Sequence, residues 1–406
     1  MTKKEASKFG LFMIYYTERG FGMKNKLDLK IDEKLYINTL DLEGFSGMMN
    51  SPSFCYKFYW LEALVMLISE DKDEVTFDEL IDEMIANAWY SVVEFHIHLT
   101  GMVLGEYRDA LELVVLKLLE VSDLNSNASK IEIKNAIKEH NKEIHKHKVR
   151  LTQMVPYRAL SGFFAGEEQT VNWEKISHVI NYIESVNRHK ILPYTLGTEL
   201  GLKRKVYINP IWKKVIQDNT VQILGWIKYE KVKWLQNNNP EVPGIVYKLS
   251  GLDDSMRKLN NARNLWNSIL DLNPINDVFT GNPIDKSSYD VDHFIPWSFV
   301  MNDELWNLMP MDPSLNSSKS NLLPDWDKFF NSFARNQFIM YTEKNDKEAI
   351  RELYEKCYKD NIHSIWASKE LYIEGNSESQ FYEILAKNMR PIYDSAKRQG
   401  YQMWEK

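Results

Sequence analysis

Residues 289–324 read YDVDHFIPWSFVMNDELWNLMPMDPSLNSSKSNLLP. Tyr289 to His293 forms a short run with strand-like alternation that ends in an acid and a histidine. Pro296 and the Asn302–Asp303 pair mark a loop. Trp306 to Met311 is apolar enough for a returning strand. Asp312 suits an N-cap, and Pro313 suits the first helical position, where its missing N–H costs nothing. A helix is expected from Ser314 to about Leu322, with Pro324 ending it. The unit predicted is a β-hairpin with a long loop, followed by one helix.

On that helix Asn316 and Lys319 stand three residues apart and share a face. If the helix packs on the hairpin, that face meets Asp292 and His293. The four side chains offer two oxygen ligands, an imidazole and a cation. Phosphodiester hydrolysis calls for such a set. A hard cation takes oxygen ligands and can keep most of its waters. An imidazole can deprotonate water near neutral pH. A cation stabilises charge developing on the phosphate.

The segments DVDHFIP, NLMP and LNSSKSNLLP resemble the HNH, or ββα-metal, endonuclease motif. The module is most similar to the HNH domain of RNA-guided CRISPR effector nucleases, in which an Asp-His pair precedes by 23 residues an Asn in an N-x-x-K-S context. His293 and Asn316 are separated by 23 residues. The resemblance implies that His293 is the general base, that Asp292 and Asn316 are metal ligands, and that Asn307 fixes the loop of the catalytic motif. It also implies that Lys319 lies near the scissile phosphate. It covers about 50 of 406 residues, and guidance by RNA does not follow from it. By family habit, a nuclease module joined to large helical regions suggests bacterial restriction or antiphage defence, with a protein partner.

The module departs from relatives that carry paired cysteines. Asp277, Thr280, Asp312 and Leu315 stand at the cysteine positions. A structural zinc is therefore not expected, and apolar packing is expected to replace it. The oxygen ligands favour Mg²⁺, or Mn²⁺, over a softer ion. Asp290 shares the strand face of Asp292 and is read mainly as a structural or solvated acid.

Working outward, the 406 residues are 44% hydrophobic, 13% aromatic and 26% charged, the composition of a folded protein of two or three domains. Two cysteines exclude a disulfide framework and point to a reducing compartment, read as the cytoplasm. The run Phe9 to Tyr16 follows three lysines, as in a secretion signal. No small-residue cleavage site follows it, and mature protein is expected. No stretch is apolar enough to span a membrane.

The net charge of −7 is unevenly distributed. Residues 1–125 balance to −10, residues 126–235 to +9 and residues 236–406 to −6. A polyanion partner is thus compatible with the acidic whole. Lys130, Lys134, Lys138, Lys142 and Lys146 recur every four residues and make one stripe on a helix expected over 129–149. The stripe reads first as a solvated face and second as a phosphate-tracking surface, with Lys134, Lys138 and Lys142 the candidate DNA contacts. Lys203, Arg204, Lys205, Lys213 and Lys214, interleaved with Tyr207 and Trp212, form a second candidate group.

The fold class expected is mainly α with a small α+β module, in which helical N-terminal and C-terminal regions flank the ββα core. Helices are expected over 53–70, with Ser51 or Ser53 as N-cap, and over 77–89, 105–121 and 253–270. Helix is expected again in 340–406, where Trp366, Tyr372, Phe381 and Tyr393 are packing candidates. The segment NNNPEVPGIV (237–246) breaks the helical pattern. The division expected is an acidic helical domain (1–125), a basic helical region (126–240), the nuclease domain (241–330) and a helical extension (331–406). His96 and His98 would share a strand face and are read as structural. The function expected is a metal-dependent endonuclease acting on DNA, with double-stranded DNA favoured. RNA cleavage by the same module, and a binding protein that uses the module as a scaffold, stay open as alternatives.

Overall fold

The computed structural model describes residues 31, 40–49, 52, 54–101, 107–153, 155–164, 172, 175–249 and 257–405. The apolar run near the N-terminus and the capping candidates Ser51 and Ser53 lie outside these. The chain forms two compact units, each discontinuous in sequence. One comprises residues up to Met84 together with Lys148–Lys231, and the other comprises Ile85–His147 together with Val232–Lys406. Residues 126–235, the basic middle, are divided between them.

The first unit packs the Tyr56–Ser69 helix against Pro210–Asp218. Cys55 precedes the Tyr56–Ser69 helix without a side-chain cap. A three-stranded antiparallel sheet completes the unit, with β1 (Glu74–Thr76), β2 (Tyr194–Leu196) and β3 (Lys205–Ile208) in the order β1-β3-β2. Trp60, Phe77, Tyr194 and Trp212 are fully buried in it. The second basic group lies here, and four of its five cations are engaged locally. Lys213 bridges Asp71 and Asp73, Lys205 meets Glu74, Lys214 meets Asp218, and Arg204 donates to Gly197 O. Trp212 is core, stacked on Phe45.

The second unit holds the hairpin. Strands β4 (Asp290–His293) and β5 (Leu308–Met311) pair antiparallel, with Asp292 opposite Met309 and His293 opposite Leu308. One continuous core joins them to the helices Asn260–Leu272, Trp326–Asp346, Glu348–Asn361 and Glu378–Gln399. Tyr372, Phe381 and Tyr393 are buried in that core and Trp366 packs against it, as expected. The first of these helices starts at Asn260, later than the pattern predicts.

Three further differences stand out. The helix after the hairpin spans Pro313–Lys319 and stops at Ser320, whose φ is +43°. The chain turns there because Leu323 N donates to Gln402 O and Leu323 O accepts from Trp404 N. The lysine-striped segment is two helices, Lys130–Glu139 and Asn141–Leu151. His140 leaves helical geometry between them, at φ −99° and ψ 24°. Nor do His96 and His98 lie on a strand. His96 has φ +50°, and buried His98 places Nδ1 3.0 Å from Glu112 Oε1, a structural role.

Candidate active site

Strand alternation sets the frame. Along β4, Asp290 and Asp292 are half-buried on one face, while Val291 and His293 are buried on the other. The Pro313–Lys319 helix packs on β4. Asp312 caps it, accepting from Ser314 N and Leu315 N. One helical face therefore presents Asn316 and Lys319 to the acids. Lys319 Nζ donates to Asp292 Oδ2 at 2.8 Å, and Asn316 Nδ2 donates to Asp290 Oδ2 at 3.0 Å.

The electrostatics are strongly biased. Lys319 is fully buried, and the Asp292 side chain is only 16% exposed. Burial pushes the Asp292 carboxyl up, but the Lys319 charge and hydrogen bond, with the His293 imidazole beside it, outweigh it. Asp292 is held well below the usual carboxylate range. The ionised carboxylate is therefore favoured near neutral pH.

His293 is fully buried. Its Nδ1 lies 3.9 Å from Asp292 Oδ1 and its Nε2 lies 3.0 Å from Asp303 Oδ1. Among the described residues, neither ring nitrogen meets a partner in good hydrogen-bond geometry, so the contact with Asp303 is close but bent. The imidazole thus stands behind the face on which Asn316 and Lys319 meet the two acids. It touches that face only through Asp292, and the four side chains do not converge on one point as the sequence suggested.

Asn307 is buried at the end of the loop. Its Nδ2 donates to Ile295 O and its Oδ1 accepts from Ile295 N, each at 2.8 Å. Phe294 N donates to Asn307 O. These bonds clamp the two residues that follow His293. Lys134 lies half-buried on the first striped helix, whereas Lys138 and Lys142 are exposed; Ile133, Ala136, Ile137 and Ile144 form the buried face of the pair.

Three acids carry more than the sequence disclosed. Asp290 binds the Asn316 amide and lies 3.8 Å from Arg263. Asp303, which in the sequence only marked a loop, faces His293. Asp277, at a cysteine position of zinc-bearing relatives, accepts from Phe279 N, Thr280 N and Thr280 Oγ1, and its other oxygen accepts from Asp312 N. The junction expected from apolar packing is therefore partly a hydrogen-bonded knot, with Phe279 against Phe329 and Trp404 beside it. The signal for Asp277 was its spacing to Asp312. Asp303 gave none, because its partner is ten residues away and the connection is tertiary.

Among the described residues, no group of three or more His, Cys, Asp and Glu side chains is placed to hold a metal ion. The available donors are the carboxylates of Asp290 and Asp292 and the amide oxygen of Asn316. They are all hard oxygens and few in number, which suits a cation that keeps several waters. The buried, unpartnered Nδ1 beside Asp292 marks where a missing polar group fits. No helix among the described residues is long and apolar enough to cross a membrane. Neither the curated proteins nor the solved structures yield a match to this chain. Residues 277–325 match the model of the HNH endonuclease family, so the hairpin and its helix are an HNH module, of a family whose nucleases generally depend on a divalent metal and act on nucleic acid.

Proposed function

We propose that this chain is a metal-dependent endonuclease that hydrolyses phosphodiester bonds in DNA, with Mg²⁺ or Mn²⁺ held by Asp292 and Asn316. The observation that carries the reading is the ionised Asp292, with Lys319 on one side and the unpartnered Nδ1 of His293 on the other. A bound divalent cation would supply charge stabilisation for the phosphate and acidify a water. Asp292 anchors that charge, and Asp290 orients the Asn316 amide so that its carbonyl oxygen remains an acceptor. His293 accepts the proton of the attacking water at Nδ1. Lys319 places positive charge where the phosphate would lie. Asn307 holds the loop that sets the His293 backbone. The exposed Lys138 and Lys142, with Lys134, would track the DNA backbone beyond the scissile bond. The setting proposed is cytoplasmic, in bacterial restriction or antiphage defence with a protein partner, by the habit of such modules.

The test is incubation of the purified chain with supercoiled plasmid and with single-stranded RNA, each with Mg²⁺ and with EDTA. Plasmid cleavage that needs the metal is expected. His293→Ala should lower the rate by about 10²–10⁴, the usual contribution of a general base. Cleavage of RNA alone would move the activity to an RNase, and cleavage by His293→Ala at the wild-type rate would sink the mechanism.

A further inference from the structure

His293 has an acidic neighbour that the family match does not explain. Asp303 lies in the long loop between β4 and β5, and its side chain is almost fully buried. Its Oδ1 stands 3.0 Å from His293 Nε2 and also accepts from Arg257 Nε at 3.2 Å; its Oδ2 accepts from Lys258 N at 2.6 Å. The backbone around it is pinned from outside residues 277–325. Asn361 Nδ2 donates to Asp303 O and to Lys258 O, and Glu304 Oε1 accepts from His363 N and Ser364 N. Helices beyond the matched segment thus fix one carboxylate against the imidazole.

The rest follows from donor and acceptor chemistry. Burial pushes the Asp303 carboxyl up, but the close His293 imidazole, the Lys258 N–H and the Arg257 charge hold it below its ordinary value. An ionised carboxylate only accepts. Carboxylates flank the ring on both sides, but Asp303 stands at 3.0 Å from Nε2 and Asp292 at 3.9 Å from Nδ1, so in the neutral ring the hydrogen goes to Nε2 and the lone pair stays on the other nitrogen. That other nitrogen, Nδ1, is the one beside Asp292.

We infer that Asp303 is a positioning residue for the nuclease reaction: it fixes His293 as the Nε2–H tautomer and so turns a lone pair at Nδ1 toward Asp292. The inference rests on the reading of His293 as the base. It also gives the helical extension, through Asn361, His363 and Ser364, a part in building the site. The charged groups around the imidazole are Asp292 with Lys319 behind it on one side and Asp303 with Arg257 behind it on the other.

The experiment uses the full chain labelled with ¹⁵N-histidine. Long-range ¹H–¹⁵N spectra, recorded above the histidine titration range, report the tautomer of each of the nine histidines, with His293 assigned by its loss in His293→Gln. Wild type is expected to show Nε2–H, and a wild-type Nδ1–H signature overturns the inference without any variant. Asp303→Asn keeps the shape and can donate instead of only accepting. It should shift the ring toward Nδ1–H and lower kcat about 10²–10⁴-fold with KM unchanged, as the same replacement does behind other catalytic histidines. If His293→Ala is inactive while Asp303→Asn turns over like wild type, the base stands and the positioning role falls. If His293→Ala is as active as wild type, the base itself falls.

Discussion

The Asp292–Lys319 pair shows how much one contact carries when water is excluded. Lys319 has no exposed surface, and its partner is nearly as enclosed. An ammonium left alone in such a place costs far more than a surface pair gains. Asp292→Ala, measured by urea unfolding without metal, should therefore lose roughly 3–5 kcal/mol. The double variant with Lys319→Met should recover most of that loss, because the orphaned charge is gone; additive losses would mean that the pair is not coupled. The pH dependence has a definite sign. The folded carboxyl lies below its unfolded value of 3.8, so its stabilisation is present above about that pH and declines as the pH falls further. The wild-type advantage over Asp292→Ala should be constant near neutrality and shrink in acid. Asp292, Asn316 and Lys319 were legible as a set because strand and helix periods place them together from spacing alone. Asp303 and the burial of His293 were not, since both depend on where Arg257, Lys258 and Asn361 return in space.

At the scale of elements, the hairpin was legible because its punctuation is local: Asp312 and Pro313 start a helix in any context, and alternation makes β4. The end of that helix was not, since pairing of Leu323 with residues 402–404 decides it. The long loop is held by another such contact. Lys248, at the end of the Ile245–Lys248 helix, is fully buried and donates to Phe299 O at 2.8 Å, with its ammonium between the rings of Phe95 and Phe299. Burial brings its pKa down from 10.5 to about 7. A base with a lowered folded pKa binds fewer protons folded than unfolded, so its penalty is complete below about pH 7 and is relieved as the pH rises toward 10.5. Lys248→Met should gain stability relative to wild type in acid, and that relative gain should narrow by a few kcal/mol between pH 7 and pH 10. Parallel unfolding curves at both pH values would show that the amine is charged throughout.

For the whole molecule, the question is what holds a polyanion. Residues 236–406 balance to −6, and the module's one lysine in the site is already engaged with Asp292. Stable binding to a duplex needs several neutralised phosphates. The sequence offered two cationic groups, and they differ in how their charges are paired. Lys205, Lys213 and Lys214 are paired with acids, so a phosphate would have to displace a carboxylate to reach them. Lys138, Lys142 and Lys146 project from the outer face of two short helices whose inner face is apolar. Reversing Lys134, Lys138 and Lys142 to Glu should therefore weaken DNA binding and flatten the plot of log affinity against log salt. The slope should fall by up to about 0.9 for each lysine that meets a phosphate. Reversing Lys214 should leave that slope where it was. Cleavage at saturating protein should survive the triple change, because none of the three lies in the hairpin or its helix. The break at His140 makes the geometry demanding, since the lysines are divided between two helices. If the triple variant keeps both its affinity and its salt slope, the stripe is a solvated face and the duplex is held elsewhere.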